Sequence, residues 1–157
     1  MPTQIIPFNP KYINNFRDLN IAWLEKYFYV EPKDKELLEN CEKSIIEKGG
    51  FIFFAEYDGK IVGCFSFIPF NDTIFELGKM AVDPKFQGYK IGQSLLGFAI
   101  DFAKEKQWSK IVLYSSSKLP TAVYIYEKYG FKHVELEKDL PYVRSDVKME
   151  LELNLEK

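Results

Sequence analysis

The hydrophobic positions of this chain change period several times along its length, and each change marks an element. Gln4 to Pro7 reads as a first strand. From Lys11 to about Tyr27 the apolar residues Ile13, Phe16, Leu19, Trp23 and Tyr27 recur near a 3.6-residue period, which predicts an amphipathic helix opened by Asn9-Pro10. A second helix starts at Pro32, because proline favours a first turn. It carries Leu37, Leu38, Cys41, Ile45 and Ile46 and stops at Gly49-Gly50. Phe51 to Tyr57 and Lys60 to Ile68 then read as strands around Asp58-Gly59, a two-residue hairpin turn whose central positions both need positive φ. Thr73 to Val82 is the next strand, ended by Asp83-Pro84.

The helical period returns from Ile91 to about Lys106, with Ile91, Leu95, Phe98, Ala99, Phe102 and Ala103 in one stripe. Ile111 to Tyr114 is a short buried strand. Pro120 or Thr121 starts a last helix that Gly130 caps. Phe131 to Leu136 and Arg144 to Leu153 are the final strands. In the latter, Val147, Met149, Leu151 and Leu153 alternate with Asp146, Lys148, Glu150 and Glu152, so one face is apolar and the other polar. The order predicts a mixed sheet flanked by helices. No linker divides residues 1–157, so a single domain is expected.

Composition narrows the classes. Fourteen Phe, ten Tyr and two Trp are more aromatic surface than the core needs and leave some for an aromatic-lined pocket. A net charge of −2 without a basic run argues against a nucleic-acid partner. No apolar stretch is long enough to span a membrane, and Met1-Pro2-Thr3-Gln4-Ile5 lacks the charged start of a secretory signal. Cys41 and Cys64 read as reduced, buried thiols of a cytoplasmic protein. The lone His133 has no second His or Cys nearby, so no metal site is expected.

The most informative stretch is Lys79-Met-Ala-Val-Asp-Pro-Lys-Phe-Gln-Gly-Tyr-Lys-Ile-Gly92. It reads as strand, glycine-bearing loop and helix start, an order that gathers free backbone N–H groups and the positive end of a helix dipole at one point. A phosphate is the natural occupant. Gly88 and Gly92 fit neither the three-glycine dinucleotide pattern nor a Walker loop. Gln87-Gly88-Tyr89-Lys90-Ile91-Gly92 instead resembles Gln/Arg-x-x-Gly-x-Gly/Ala, the pyrophosphate loop of the GNAT superfamily of acyl-CoA-dependent N-acyltransferases. Lys90 stands where that pattern has its first glycine. A side chain there calls for negative φ, with Gly88 taking over the permissive role. A second stretch, Thr121 to Phe131, resembles the family's Ala-x-x-Leu-Tyr-Glu-x-x-Gly-Phe through Ala122, Ile125, Tyr126, Glu127, Gly130 and Phe131.

The resemblance, which covers about residues 50–153, implies an α/β (α+β mixed) GNAT fold. About seven strands are flanked by about four helices, and the sheet is splayed between the fourth and fifth strands. It implies acetyl-CoA as co-substrate and no metal. The main chain of Met80, Ala81 and Val82 would pair with the amide-rich arm of the cofactor as a strand edge does. The N–H groups of Gln87, Gly88, Tyr89, Lys90, Ile91 and Gly92 would receive the pyrophosphate, with Lys85 or Lys90 adding a salt bridge. Leu119 stands where the family often has an asparagine touching the pantetheine.

Attack of an amine on a thioester needs a base, and Glu76, six residues before Val82, is the candidate. The departing thiolate needs an acid. Tyr126 is where the family often places it, whereas Tyr124 is turned to another side of the helix. On the acceptor side Trp23 and Tyr27 are candidates for an aromatic wall. Tyr142 and Arg144 suit a substrate carboxylate, while Glu31 or Glu25 suit a polyamine. The expected partners are acetyl-CoA and a primary amine of a small molecule or peptide. Nucleic acid and membrane are not expected, and a homodimer is left open. A CoA-binding module without turnover is the alternative.

Overall fold

The computed structural model describes residues 3–138 and 144–153. β1 (Thr3–Pro7), β2 (Phe51–Tyr57), β3 (Lys60–Pro69), β4 (Ile74–Val82), β5 (Lys110–Ser115), β6 (Lys132–Val134) and β7 (Val147–Glu152) form one sheet in the order β1-β2-β3-β4-β5-β7-β6. Neighbours are antiparallel except for β4 and β5, which run parallel. Four helices flank the sheet: α1 (Ile13–Tyr27), α2 (Pro32–Glu39), α3 (Ile91–Glu105) and α4 (Pro120–Lys128). This is the expected fold class.

The alternation along the strands sorts the aromatics onto two faces. Phe53, Phe65, Phe67 and Phe75 face α3, where they meet Leu95 and Ala99, and Trp108 stacks on Phe75 with ring centroids 3.6 Å apart. Phe54, Cys64 and Ala81 face the other way, against Phe16 and Leu24 of α1 and Leu38 of α2. Phe16, Phe54, Phe65 and Phe67 are wholly buried, each worth about 1.5–3 kcal/mol by area removed from water. Gly63 of β3 lets the start of α3 lie close to the sheet. A Cβ there would sit 3.1 Å from Leu95 Cδ1 and 3.2 Å from Ile91 Cγ2.

Three features differ from the sequence expectation. The second helix does not run through to Gly49. It ends at Asn40 (φ −121°, ψ 39°) and resumes as a wider five-residue turn, Glu42–Ile46, which keeps Cys41 and Ile45 buried beside Leu37 and Leu38. The last two strands are shorter than expected: β6 pairs with β7 over only three residues, Lys132–Val134 against Lys148–Glu150, and β7 pairs with β5 over Val147–Glu152.

The third difference shapes the site. β4 carries a bulge. Opposite Cys64 and Ser66 stand Ala81 and Gly78, one residue more on β4 than on β3, and Lys79 there takes φ +52°. The extra residue leaves backbone carbonyls out of the ladder. Two β3 side chains satisfy them, Ser66 Oγ donating to Gly78 O at 3.2 Å and Cys64 Sγ to Lys79 O at 3.5 Å. Beyond the bulge β4 bends away from β5. Their pairing covers only Ile74–Leu77 with Lys110–Leu113, so from Gly78 onward the β4 edge facing β5 has no strand partner among the described residues. The expected splay therefore opens just past Leu77.

Candidate functional site: a cleft at the split in the sheet

A cleft of about 690 Å³ fills this split. One wall is the open edge of β4, Gly78 to Val82, with Glu76 at its base. The opposite wall is Tyr114 and Ser115 of β5 with Ala122, Ile125 and Tyr126 of α4. One end is the loop Gln87–Gly92, and the other is built by α1 and α2 through Asn20, Trp23, Leu24, Lys33 and Leu37.

The loop end is a set of aimed donors. Gly88 (φ +90°) and Lys90 (φ +59°) both lie in the left-handed region. The expectation of negative φ at Lys90 is thus overturned, because the chain makes two left-handed turns before α3 rather than one. Lys90 becomes the N-cap of α3, a conformation that costs a non-glycine residue about 1–2 kcal/mol. The amides of Gln87 and Tyr89 are used internally, donating to Pro84 O and Phe86 O at 3.3 Å each. Those of Gly88, Lys90, Ile91 and Gly92 donate to no protein acceptor among the described residues. They surround the positive end of the α3 dipole.

Glu76 and Tyr126 both reach the cleft. Burial, partly offset by the charge of Lys79, raises Glu76 to a pKa of about 6, so it is mostly ionised at pH 7 yet only weakly acidic. Burial likewise pushes Tyr126 above its ordinary value and keeps its hydroxyl protonated. The Tyr126 ring packs edge-on to Phe131 at 5.9 Å, which fixes it. Tyr124 is 65% exposed and faces away. Met80, Ala81, Val82 and Leu119 line the cleft as well.

Other expected residues are placed differently. Tyr27 does not line the cleft; its ring packs at a tilt on Trp23, centroids 5.6 Å apart. The Tyr89 ring turns away from the cleft to pack on Tyr57 and Phe86. Tyr142 lies outside the described residues. Arg144, expected on the acceptor side, lines the cleft with its guanidinium paired to buried carboxylates. Nη1 and Nη2 grip Asp34 at 2.8 Å each, and Nη1 also reaches Glu31 Oε2 at 3.2 Å. Glu31, the polyamine candidate, is engaged in that pairing, and Glu25 does not line the cleft.

Asp34 is the hub that sequence reasoning missed. It is fully buried and accepts from Lys79 Nζ at 2.6 Å, from both Arg144 nitrogens, and from the Glu31 amide at 2.9 Å. Burial alone would raise its pKa, but the Arg144 hydrogen bonds and the Lys79 charge outweigh this and hold it at about 2. The hub joins the N-terminus of α2, the β4 bulge and the segment before β7. Part of it was readable: Glu31-Pro32-Lys33-Asp34 is a capping box. Its long-range partners were not.

A sheet split at its parallel pair, with unpaired strand edge on one side and unpaired helix-start amides at its end, is a receptor for an extended, amide-rich, anionic ligand. The profile of the Acetyltransferase (GNAT) family matches residues 17–131, and the chain belongs to that family. A probable N-acetyltransferase, camello, of Xenopus tropicalis is 28% identical over 105 residues, covering 66% of this chain and 48% of that protein. The chain spans about half the length, or less, of several curated relatives it matches. A GNAT-family acetyltransferase of Staphylococcus aureus shares the fold with a TM-score of 0.84 at 24% identity over 99% of this chain and 100% of that one. The PaiA N-acetyltransferase of Thermoplasma acidophilum, solved with coenzyme A, does so with a TM-score of 0.77 at 19% identity over 98% and 100%.

Proposed function

We propose that this protein transfers an acetyl group from acetyl-CoA to a primary amine of a small molecule or peptide by direct attack on the thioester. The observation that carries the reading is the cleft itself: free β4 edge, free amides at Gly88 and Lys90–Gly92, and two proton-handling side chains face one space. The pyrophosphate is held by the amides, each charge-assisted hydrogen bond worth about 1.5–3 kcal/mol, with Lys90 beside it. The arm lies along β4 at Met80–Val82 and brings the thioester toward the α1–α2 end. Names and ligands of the family members matched agree with this donor.

Glu76 accepts the amine proton, directly or through water, as the C–N bond forms. A carboxylate with a pKa of about 6 is suited to that task near neutral pH. The C–S bond then breaks and Tyr126 gives its proton to the leaving thiolate. Two buried free cysteines support a reducing, cytoplasmic setting.

The test is thiol release from acetyl-CoA in the presence of a panel of primary amines, beside calorimetric CoA binding. Amine-dependent release that falls at least tenfold in Tyr126→Phe, with CoA affinity retained, is expected. CoA binding without release for any amine would favour a non-catalytic module, and absence of CoA binding would sink the loop assignment.

A further inference from the structure

Asn20 of α1 is 2% exposed yet lines the cleft, and the mechanism above makes no use of it. Its amide nitrogen donates to Phe16 O at 3.0 Å and to Cys64 Sγ at 3.3 Å. Phe16 O only accepts, so the nitrogen must face it and the orientation of the amide is fixed. Cys64 in turn donates to Lys79 O, so Asn20 is two hydrogen bonds from the bulge that opens the sheet. Burial pushes the Cys64 thiol up to about 12, which keeps it a thiol and this relay neutral.

With both N–H groups engaged, the remaining polar atom is Oδ1. Among the described residues no protein donor reaches it, yet no buried side-chain nitrogen or oxygen there lacks a partner. Oδ1 therefore opens on the cleft. It is a neutral acceptor with no proton to give, so it repels a carboxylate or phosphate and takes an N–H or O–H. Its nearest neighbours on α1 are apolar. Trp23 and Leu24 lie on the same face of α1, three and four residues on, and Phe28 and Leu37 complete the wall. The charged side chains at this end are paired or positive: Lys33 and Glu36 pair at 3.0 Å at the rim, and Lys118 Nζ and the ion-paired Arg144 guanidinium lie 5.9 and 6.0 Å from the Phe28 ring centroid.

We propose that Asn20 is a specificity-determining residue for the acceptor: its Oδ1 accepts an N–H of a primary amine whose apolar stem packs on Trp23, Phe28 and Leu37. This rests on the acetyl-transfer reading. The contact orients the nitrogen beside the open β4 edge, leaving a second N–H for Glu76. A carboxylate beside the reacting nitrogen is repelled by Oδ1, and an amine carrying several positive charges leaves them against apolar side chains and the cations beside Phe28, where burial is costly.

The test uses phenethylamine, glutamate and spermidine as acceptors, with phenethyl alcohol and its methyl ether as inhibitors competing with phenethylamine. The alcohol keeps a donor for Oδ1 and the ether does not. In the wild type, phenethylamine is expected to have at least a tenfold higher kcat/KM than the other two amines. The alcohol should bind about tenfold tighter than the ether, the scale of one well-made hydrogen bond. Asn20→Leu, nearly isosteric, should raise KM for phenethylamine about tenfold and erase the alcohol–ether gap while the CoA dissociation constant stays the same. Thermal melting checks that the variant is folded; if it is not, the alcohol–ether pair on the wild type decides. Turnover with no such gap, an unchanged KM in folded Asn20→Leu, a preference for glutamate or spermidine, or a parallel loss of CoA affinity (Oδ1 then serving the pantetheine) overturns the proposal. Absence of amine-dependent release altogether refutes the acetyl-transfer reading instead.

Discussion

Asp34→Asn is the sharpest structural perturbation this molecule offers. The carboxylate has no solvent exposure and answers two cations, Lys79 at 2.6 Å and Arg144 at 2.8 Å through both nitrogens. Its pKa falls from 3.8 to about 2 on folding. At about 1.36 kcal/mol per pH unit this is about 2.4 kcal/mol of stability tied to its ionisation. Asparagine also leaves two cations facing a neutral amide, and breaking a buried pair this way typically costs about 3–5 kcal/mol. The two routes bracket an expected loss of roughly 2–5 kcal/mol at pH 7. In a domain of this size that is about 5–15 °C in Tm. The sign of the pH dependence follows from a depressed pKa. The stabilisation is complete above about pH 4 and drains as pH falls through about 2. Denaturant titrations of wild type and variant between pH 2 and 7 measure it. The stability gap should be widest at neutral pH and narrow steadily in acid. A gap under 1 kcal/mol at pH 7, or one independent of pH, would refute the claim that this ion cluster holds α2, the bulge and the segment before β7 together.

Glu76→Gln should remove the limb of the kcat/KM profile that rises through about pH 6, with a loss of about 10²–10⁴-fold at pH 7. Because the native pKa of Glu76 is raised from 4.5, its ionised form opposes folding above about pH 6. The same variant should therefore be more stable at pH 7–8, by up to about 2 kcal/mol, and show no difference below pH 4.5. A variant that keeps the limb, or that is less stable at pH 8, counts against both roles. Gly88→Ala, at φ +90°, should lose about 1–2 kcal/mol and weaken CoA binding. Lys90→Gly, at φ +59°, should relieve its left-handed strain and raise Tm. If calorimetry finds Gly88→Ala harmless to CoA affinity, the loop does not grip the pyrophosphate as described.

Much of this protein is local, and what is local could be read from the residues. Periodicity placed the helices and most strands because burying one face of an element needs only short-range spacing. The helix-start amides of the loop from Gln87 to Gly92 were readable because they belong to a few consecutive residues, whereas the positive φ at Lys90 and the internal use of the Gln87 and Tyr89 amides were not. The bulge at Lys79 had only Gly78 as a hint, since it exists through a register against β3 that no run of β4 residues specifies. Arg144 looked like a substrate ligand because Asp34 is 110 residues away in the chain and 2.8 Å away in space. Tyr27 and Tyr89 carried the right chemistry but turned out of the cleft, and Asn20 was an ordinary helix residue until Phe16 and Cys64 fixed its amide. Spacing along the chain determined which elements form and where helix-start amides gather. Only the packed tertiary structure decided which charges cancel each other and which polar atoms remain for a ligand, because charge pairing and burial depend on distances that sequence separation does not encode.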